Sequence, residues 1–329
     1  MIWLTWRHMR TQTLWTAAAL AALAAYLLYL GADLREVYDR DIAGCTAECG
    51  QAARAIADAF GTPLLLLGLV LIAGPALLGA FWGAPLITRE LETGTHRLVW
   101  NQSVTRTRWL TVKLVLVGGA SVLLTGALSL LLTWAAAPYD QVAASRFEPL
   151  TFAARDIAPF GYALLAFAIG LAVGVLARKT LLAMAVTIAL FVAFQVLMAT
   201  AVRPHFAEPV TETIAWSDAN AVGTIDSFGI GPHGAGIQGY TITDAWVLSD
   251  YITVYKADGT EVGEDDIAAC DQQTLHPDEC MTSLGAVFDV TYQPADRYWP
   301  FQWAEFAAAA GLAALLIGLA FWRVPRGIN

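Results

Sequence analysis

One stretch of the chain decides the fold: PFGYALLAFAIGLAVGVLA at residues 159–177, the pair Arg178-Lys179, and TLLAMAVTIALFVAFQVLMATAV at residues 180–202. A single helix over this stretch would be roughly 66 Å long, whereas the hydrocarbon core of a bilayer is about 30 Å thick. Because each cation would cost roughly 3 kcal/mol in hydrocarbon, a tight turn must place both at the headgroups. The stretch therefore predicts two membrane-crossing helices joined as a hairpin.

Four further apolar runs flank this hairpin. About 20 apolar residues suffice for a helix to cross a bilayer. Of the 329 residues, 57% are hydrophobic and 14% are charged, which excludes an ordinary water-soluble enzyme. We therefore predict an all-α polytopic membrane protein with six transmembrane helices, five of them within residues 14–202. The predicted spans are residues 14–30, 63–81, 114–134, 159–177, 180–202 and 301–322.

Basic residues are distributed unevenly between the two sides of the predicted membrane. Eleven of the 19 Lys and Arg residues lie on one side, together with only two of the 28 acidic residues. Since Lys and Arg concentrate in cytoplasmic loops, this side is predicted to be the cytoplasm of a plasma-membrane protein. Both termini, including the tail at residues 323–329, then lie inside. The net charge of −9 gives the chain no overall attraction for nucleic acid.

Residues 1–13 are predicted to form an amphipathic helix at the membrane interface. Trp3 and Trp6 fall on one helical face, and Arg7 and Arg10 fall on the other. A cleaved signal peptide is the alternative, because a basic start and an apolar stretch of about 17 residues also fit that class.

Residues 203–300 are long enough to form a small extracellular domain between the fifth and sixth helices, and their pattern is mixed α/β. Residues 251–255 and 286–291 are typical of strands, while residues 265–280 look helical or irregular. The four cysteines all fall in predicted outer segments, where disulfides form. We favour the two local pairings of the three that are available, and these join Cys45 with Cys49 and Cys270 with Cys280.

Two other motif interpretations of the outer segments are weaker. A zinc site that combines cysteines with His205, His233 or His276 has no standard ligand spacing. Residues 229–234 formally match the dinucleotide-binding fingerprint GxGxxG, but no βαβ unit surrounds them. A turn-rich loop is the better interpretation, and no metal ligand is assigned.

The longest predicted cytoplasmic loop, residues 84–113, is the candidate functional segment. Gly94 can end one short helix, and Ser103 can cap another that runs through Trp109 into the third span. A short charged helix is typical of a ligand that docks in a partner's groove. The alternative is that the arginines only bind lipid headgroups, but the two glutamates have no role in lipid anchoring. The candidate docking residues are Arg89, Glu90, Glu92, Gly94, Thr95, Arg97, Arg106 and Arg108.

The same loop carries a family resemblance. RELETGT at residues 89–95, followed by Ser103, Arg106 and Lys113, resembles the first cytoplasmic loop of ABC (ATP-binding cassette) type-2 exporter permeases. GTHRLVWNQSVTRTRW at residues 94–109 resembles actinobacterial members, as does WPFQWAE where the last span begins. The resemblance implies a permease that dimerises with itself or with a related permease. It also implies a separate ATPase subunit that holds ATP and Mg and acts through this loop.

Polar residues within the predicted spans are candidates for a translocation path. Four of them repeat every fourth residue in the third span, and helix packing is the favoured interpretation there. Glu305 is one turn below the outer boundary and can reach water or pair with Arg297. Small-residue pairs at residues 79–83 and 170–174 can support close helix contact. The candidate path residues are Ser121, Thr125, Ser129, Thr133, Gln195 and Glu305.

These features define two functional hypotheses. The first is an exporter permease that moves a hydrophobic or amphipathic compound, drug-like, lipid-like or peptide-like, out of the cell. This chain would not itself be an enzyme or carry a cofactor, because its nearest match to a P-loop, residues 174–180, lacks the second glycine. The alternative is a membrane-anchored sensor or interaction protein whose acidic outer domain binds a ligand. An intramembrane enzyme has no paired acids or nucleophile with a base to support it.

Overall fold

The computed structural model of the protein describes residues 2–45, 49–94, 105–142, 146–231, 234–272 and 276–327. In this part of the chain, six helices are long and apolar enough to cross a membrane, as predicted. We call them spans one to six. They are Leu14–Asp41, Cys49–Glu92, Arg106–Ala136, Ala158–Ala177, Thr180–His205 and Ala295–Val324.

The helices within and between these spans are labelled in chain order. Three short π-helical turns interrupt the spans, at Gly79–Gly83, Leu114–Gly118 and Met198–Val202. The described α-helices are α1 (Ile2–Asp41), α2 (Cys49–Leu78), α3 (Pro85–Glu92), α4 (Arg106–Lys113), α5 (Gly119–Ala136), α6 (Pro149–Ala154), α7 (Ala158–Ala177), α8 (Thr180–Leu197), α9 (Ala219–Val222), α10 (Glu264–Gln272), α11 (Pro277–Ser283) and α12 (Tyr298–Gly327).

The chain divides into two units. Unit one comprises residues 1–143, 150–194 and 305–329, and unit two comprises residues 144–149 and 195–304. Unit one holds most of the length of the six spans, and unit two holds all the strands among the described residues.

In unit one, α1 and α2 are longer than the first two predicted spans. No proline interrupts α1, so the helix predicted at residues 1–13 is continuous with span one. Its location at a membrane interface stays a prediction. The outer segment at residues 31–62 is largely helical, because apolar positions continue along both helices beyond the predicted span ends. Leu34 of α1 and Ile56 of α2 are buried in the same core.

The predicted hairpin turn is present between α7 and α8. Arg178 ends α7 in the left-handed conformation, with φ of 54°, and α8 begins at Thr180. Of the two helices, α7 is the more deeply buried. In its most apolar stretch 72% of the residues are buried, compared with 22% in that of span five. Span four is therefore surrounded by protein, whereas span five presents most of its surface outwards.

Glycines allow the backbones of α7 and span two to contact each other directly. A Cβ atom added to Gly79 would lie 2.6 Å from the carbonyl carbon of Ala166, and one added to Gly170 would lie 2.9 Å from the Ala84 nitrogen. Real Cβ atoms do not approach backbone so closely, so both positions require glycine. The two predicted small-residue pairs thus meet each other across one helix crossing.

Unit two contains an antiparallel six-stranded sheet in the order β1-β8-β7-β4-β3, with β6 also paired to β8. The predicted strand at residues 251–255 is present as β7, and the second predicted strand is present as β8. A separate two-stranded sheet pairs β2 with β5. The strands are β1 (Val210–Ala215), β2 (Gly223–Thr224), β3 (Ser227–Gly231), β4 (Gly234–Gln238), β5 (Thr241–Ile242), β6 (Trp246–Val247), β7 (Tyr251–Tyr255) and β8 (Val287–Gln293).

The core of unit two lies on one face of the six-stranded sheet. Ile252 and Val254 alternate with more exposed neighbours along β7, as the period of two for a half-buried strand requires. The fingerprint-like segment at residues 229–234 belongs to the β3–β4 hairpin, which agrees with its interpretation as a turn-rich region. Its two central residues, 232 and 233, lie outside the described residues.

Both favoured disulfides are present. Cys45 is bonded to Cys49 with a Cα–Cα distance of 5.7 Å, and Cys270 is bonded to Cys280 at 5.6 Å. The second bond joins α10 to α11, which fall in the segment predicted to be helical or irregular. Because all four cysteines of the chain are in disulfides, none can serve as a thiolate ligand in the alternative zinc site.

Candidate functional site

The cytoplasmic loop predicted at residues 84–113 contains the short helix α3, which begins directly after a π-helical turn. Pro85 occupies its first turn, where the fixed φ of proline favours a helix start. Leu86 and Ile87 are buried, whereas Arg89 is exposed, so the helix is amphipathic. It ends at Glu92, and Gly94 follows in the left-handed conformation with φ of 71°, as the sequence predicted.

The second helix of the loop, α4, forms the first part of span three. Thr105 is its N-cap, and the Thr105 hydroxyl accepts a hydrogen bond from the Arg108 backbone nitrogen at 3.3 Å. This differs from the prediction of Ser103 as the cap. Ser103 itself lies outside the described residues. Trp109 and Lys113 on this helix are both buried.

Glu90 connects α3 to α4. Its carboxylate accepts hydrogen bonds from Lys113 Nζ at 2.6 Å and from Trp109 Nε1 at 3.1 Å. Lys113 Nζ also donates to the Leu86 carbonyl oxygen at 2.8 Å, and it lies 4.2 Å from the centre of the Trp109 ring. The Lys113 side chain is only 9% exposed, so the pair is largely withdrawn from solvent. Glu90 is therefore bonded within the chain, and its predicted role in docking a partner stays a prediction.

Glu92 connects α3 to the start of span five. Its two carboxylate oxygens accept hydrogen bonds from the Thr180 backbone nitrogen at 2.8 Å and from the Thr180 hydroxyl at 2.7 Å. A carboxylate at this position satisfies one of the unpaired N–H groups of the helix N-terminus and complements the helix dipole of α8. The hydroxyls of Thr88 and Thr180 lie 2.8 Å apart, which adds a second contact between the same two elements.

An apolar contact completes the attachment of α3. Ile87 is fully buried in a cluster with Trp109 and Leu110 of α4, Val175 of α7 and Val324 of α12. The short helix thus contacts the adjacent ends of spans three, four and six. Its residue Glu92 binds Thr180, the first residue of span five. We call the polar residues of this arrangement the α3 cluster: Thr88, Glu90, Glu92, Trp109, Lys113 and Thr180.

The other predicted docking residues are distributed around the α3 cluster. Arg89 and Arg108 are exposed, and Arg106 is partly buried. Thr95 and Arg97 lie outside the described residues. Thr88 and Thr180 also belong to the site, although the sequence did not predict them there. Thr180 could have been inferred from its position, because it begins a helix directly after a charged turn. The first N–H groups of a helix need acceptors from outside that helix.

The polar stripe of span three faces the protein interior. Ser121, Thr125 and Ser129 are buried. The Ser129 hydroxyl donates to the Asp156 carbonyl oxygen at 3.1 Å, and the Thr133 hydroxyl accepts from the Asp156 nitrogen at 3.1 Å. These bonds attach α5 to the segment before α7, in agreement with a packing role for the stripe.

Glu305 is fully buried in unit one, where it accepts a hydrogen bond from the Tyr162 hydroxyl. In unit two, the Arg297 guanidinium donates a hydrogen bond to Gln293 Oε1 at 2.6 Å. Gln195, another candidate path residue, has a buried Nε2 atom for which the described part of the chain provides no hydrogen-bond partner. The role of these residues in a translocation path stays a prediction.

Six apolar helices, with a short amphipathic helix attached to the adjacent ends of four of them, define a multi-pass membrane protein. Residues 17–203 match the family described as "ABC-2 membrane transporter related". Since this match covers more than half of the chain, the protein belongs to that family and is a membrane subunit of the ABC-2 permease type. The matched range includes the complete α3 cluster. No curated protein and no solved structure matched the chain.

Proposed function

We propose that this protein is the permease subunit of an ATP-driven exporter, and that α3 transmits the motion of a separate ATPase subunit to the spans. One observation carries the proposal: the α3 cluster and Ile87 attach this single short helix to four spans. A displacement of α3 must then displace the ends of those spans, because close-packed interiors transmit strain and do not absorb it. The ATPase subunit would hold ATP and Mg.

The structure divides the predicted docking residues into two groups with different proposed roles. Arg89 and Arg108 are exposed and are the residues proposed to contact the ATPase subunit. Glu90 and Glu92 are bonded within the chain and are proposed to transmit the motion. Docking and transmission can therefore be disrupted separately.

The first experiment purifies the tagged protein from its native membrane and identifies co-eluting chains by mass spectrometry. A subunit with a P-loop and ATPase activity should co-elute with the wild type. It should be lost when Arg89 and Arg108 are both replaced by Glu, because exposed charges set register and association rate. The matched control replaces Arg40 and Arg54, exposed arginines of α1 and α2, by Glu and should retain the subunit.

A second variant isolates transmission. Glu92→Gln removes one charge and weakens the attachment to Thr180, while the exposed arginines are unchanged. We expect this variant to retain the ATPase subunit but to lose most of the ATP-dependent transport. Retention of the ATPase by the Arg89/Arg108 variant would contradict the docking role, and normal transport in Glu92→Gln would contradict transmission.

Outward transport, a hydrophobic or amphipathic cargo and a dimeric permease are parts of the same proposal. The positive-inside distribution supports a cytoplasmic location for α3 and both termini, with the sheet of unit two outside. The sensor hypothesis remains the second candidate. It is favoured if the protein elutes without an ATPase and with a kinase or regulator in its place.

A further inference from the structure

An apolar groove lies between spans three, four and six of unit one. Phe160 and Leu164 of α7 line one wall, and Phe306 and Ile317 of α12 line another. The wall from span three consists of Leu114, Gly118, Gly119, Val122 and Leu123. The groove has a volume of about 410 Å³. Every side chain of this lining is hydrocarbon or absent, so the groove offers a ligand no hydrogen-bond partner from a side chain.

Two adjacent glycines shape the wall contributed by span three. A Cβ atom added to Gly118 would lie 3.0 Å from the Phe167 ring, so Gly118 allows α7 to pack closely. A Cβ atom added to Gly119 would have no atom within 4 Å, although this residue is half-buried. Gly119 therefore faces the open space of the groove.

The depth of the groove matches that of a single leaflet. Lys113 begins the apolar part of span three, and residues 114–123 rise about 14 Å above it. One leaflet contributes about half of the 30 Å hydrocarbon core. The groove consequently lies beside the lipid chains of the leaflet whose headgroups face α4. A polar group that entered it would lose its hydration, whereas a hydrocarbon chain would not.

Charge specifies the headgroup. The side of the membrane next to Lys113 carries 11 basic and two acidic residues in the predicted topology, and both Arg106 and Arg108 precede the groove on the same helical run. Basic segments beside a membrane attract anionic lipids by about 1 kcal/mol per residue. We propose that the groove binds one hydrocarbon chain of an anionic amphiphile from the cytoplasmic leaflet. The proposal rests on the proposed orientation of the spans and needs no ATPase partner.

The experiment uses the full chain in lipid nanodiscs that contain phosphatidylglycerol with a diazirine group on one acyl chain. After irradiation, mass spectrometry locates the adducts. We expect them to concentrate on residues 114–123 and 306–317 and to be weaker with phosphatidylcholine that carries the same chain. Adducts spread evenly over the lipid-facing residues of spans one and five would overturn the proposal.

Gly119→Leu fills the groove. It should reduce adducts on the groove residues by at least about tenfold, because the new side chain occupies the place of several methylene groups. The matched control is Gly311→Leu, since Gly311 is exposed on span six and a Cβ there also meets no atom within 4 Å. The control should label like the wild type. Val122→Phe is a second filling variant in case Gly119→Leu does not fold, and unchanged groove labelling in a folded filling variant contradicts the proposal.

A final comparison separates two sources of the bound chain. If the amphiphile is cargo, ATP added to the complex with the ATPase subunit should deplete the groove label. If it is a resident membrane lipid, the label should persist through turnover. Loss of the ATPase partner would leave the labelling result intact, so this inference and the proposed function can fail independently.

Discussion

At the scale of single residues, Glu90 and Glu92 use their carboxylates in different ways. Glu90 forms an ion pair with the largely buried ammonium group of Lys113. Glu92 is exposed and binds Thr180 at the N-terminus of α8. Both were predicted as docking residues, and their bonds within the chain were not predicted, because sequence spacing gives no information on which neighbouring span approaches a loop helix. The residue types of the loop indicated a polar functional segment. The hydrogen-bond partners of these residues, however, lie 19 to 92 positions away along the chain.

Glu90→Gln should destabilise the protein because it leaves the Lys113 ammonium without its carboxylate. We expect the free energy of unfolding to fall by about 1–3 kcal/mol, less than for a fully buried pair, since Glu90 is 30% exposed. Unfolding in detergent, followed by circular dichroism, measures the change. The double variant Glu90→Gln with Lys113→Met removes both charges and should recover at least half of the loss. Equal stability of Glu90→Gln and wild type would show that the pair contributes nothing.

Asp266 in unit two should contribute a stability that depends on pH. The backbone N–H of Gly263 and the ammonium of Lys256 lower the pKa of this carboxyl group. Because its pKa in the folded state lies below the unfolded value of about 3.9, the contribution is complete above that value. It is lost as the pH falls through the folded pKa.

The variant Asp266→Asn tests this dependence. Hydrogen exchange of residues 251–255 should be faster in the variant than in the wild type at neutral pH, and the difference should shrink below about pH 4. Asp265→Asn, at the neighbouring position of α10, is the matched control. A difference that stays constant down to pH 2 would assign the effect to packing instead of charge.

At the scale of elements, the crossing of span two and α7 depends on glycine. Gly170→Ala would place a Cβ 2.9 Å from the Ala84 nitrogen, where the neighbour is backbone and cannot move aside cheaply. We expect a loss of at least about 2 kcal/mol in unfolding free energy. Gly311→Ala, which meets no atom within 4 Å, should stay within about 1 kcal/mol of the wild type. Similar stability of the two variants in the same unfolding assay would contradict the close crossing.

Elements differ in how far the sequence predicts them. The hairpin at Arg178 follows from length and charge alone, because no continuous helix could hold those cations in hydrocarbon. The extension of α1 to Asp41 was missed, because hydropathy marks where lipid ends and not where a helix ends. Strands β7 and β8 were predicted from their local patterns. The order β1-β8-β7-β4-β3 was not, because pairing joins strands as distant as β1 and β8.

At the scale of the whole molecule, the chain combines a family-typical part with a part that the family match does not reach. The match ends at residue 203, before β1 begins at Val210. The matched range contains the α3 cluster and, apart from a few residues at the start of span one and the end of span five, the first five spans. The sheet of unit two and span six lie beyond it.

The proposed orientation can be tested over the whole chain, because all four native cysteines are in disulfides. Single variants Arg54→Cys and Tyr251→Cys should react with a membrane-impermeant maleimide on intact cells. Arg89→Cys and Arg108→Cys should react only after permeabilisation, since their side is predicted to be cytoplasmic. Labelling of Arg89→Cys on intact cells would invert the topology and move α3 out of reach of any ATPase in the cytoplasm.

The continuity of α1 has a mechanical consequence. A helix from Ile2 to Asp41 is about 60 Å long, roughly twice the thickness of the hydrocarbon core. It contains no proline hinge, and the disulfide between Cys45 and Cys49 links the segment after its C-terminal turn to α2. In an element of this length, a tilt of about 10° about its N-terminal end would move its C-terminal end by about 10 Å. Small rotations at one face of the membrane would thereby become large displacements at the other.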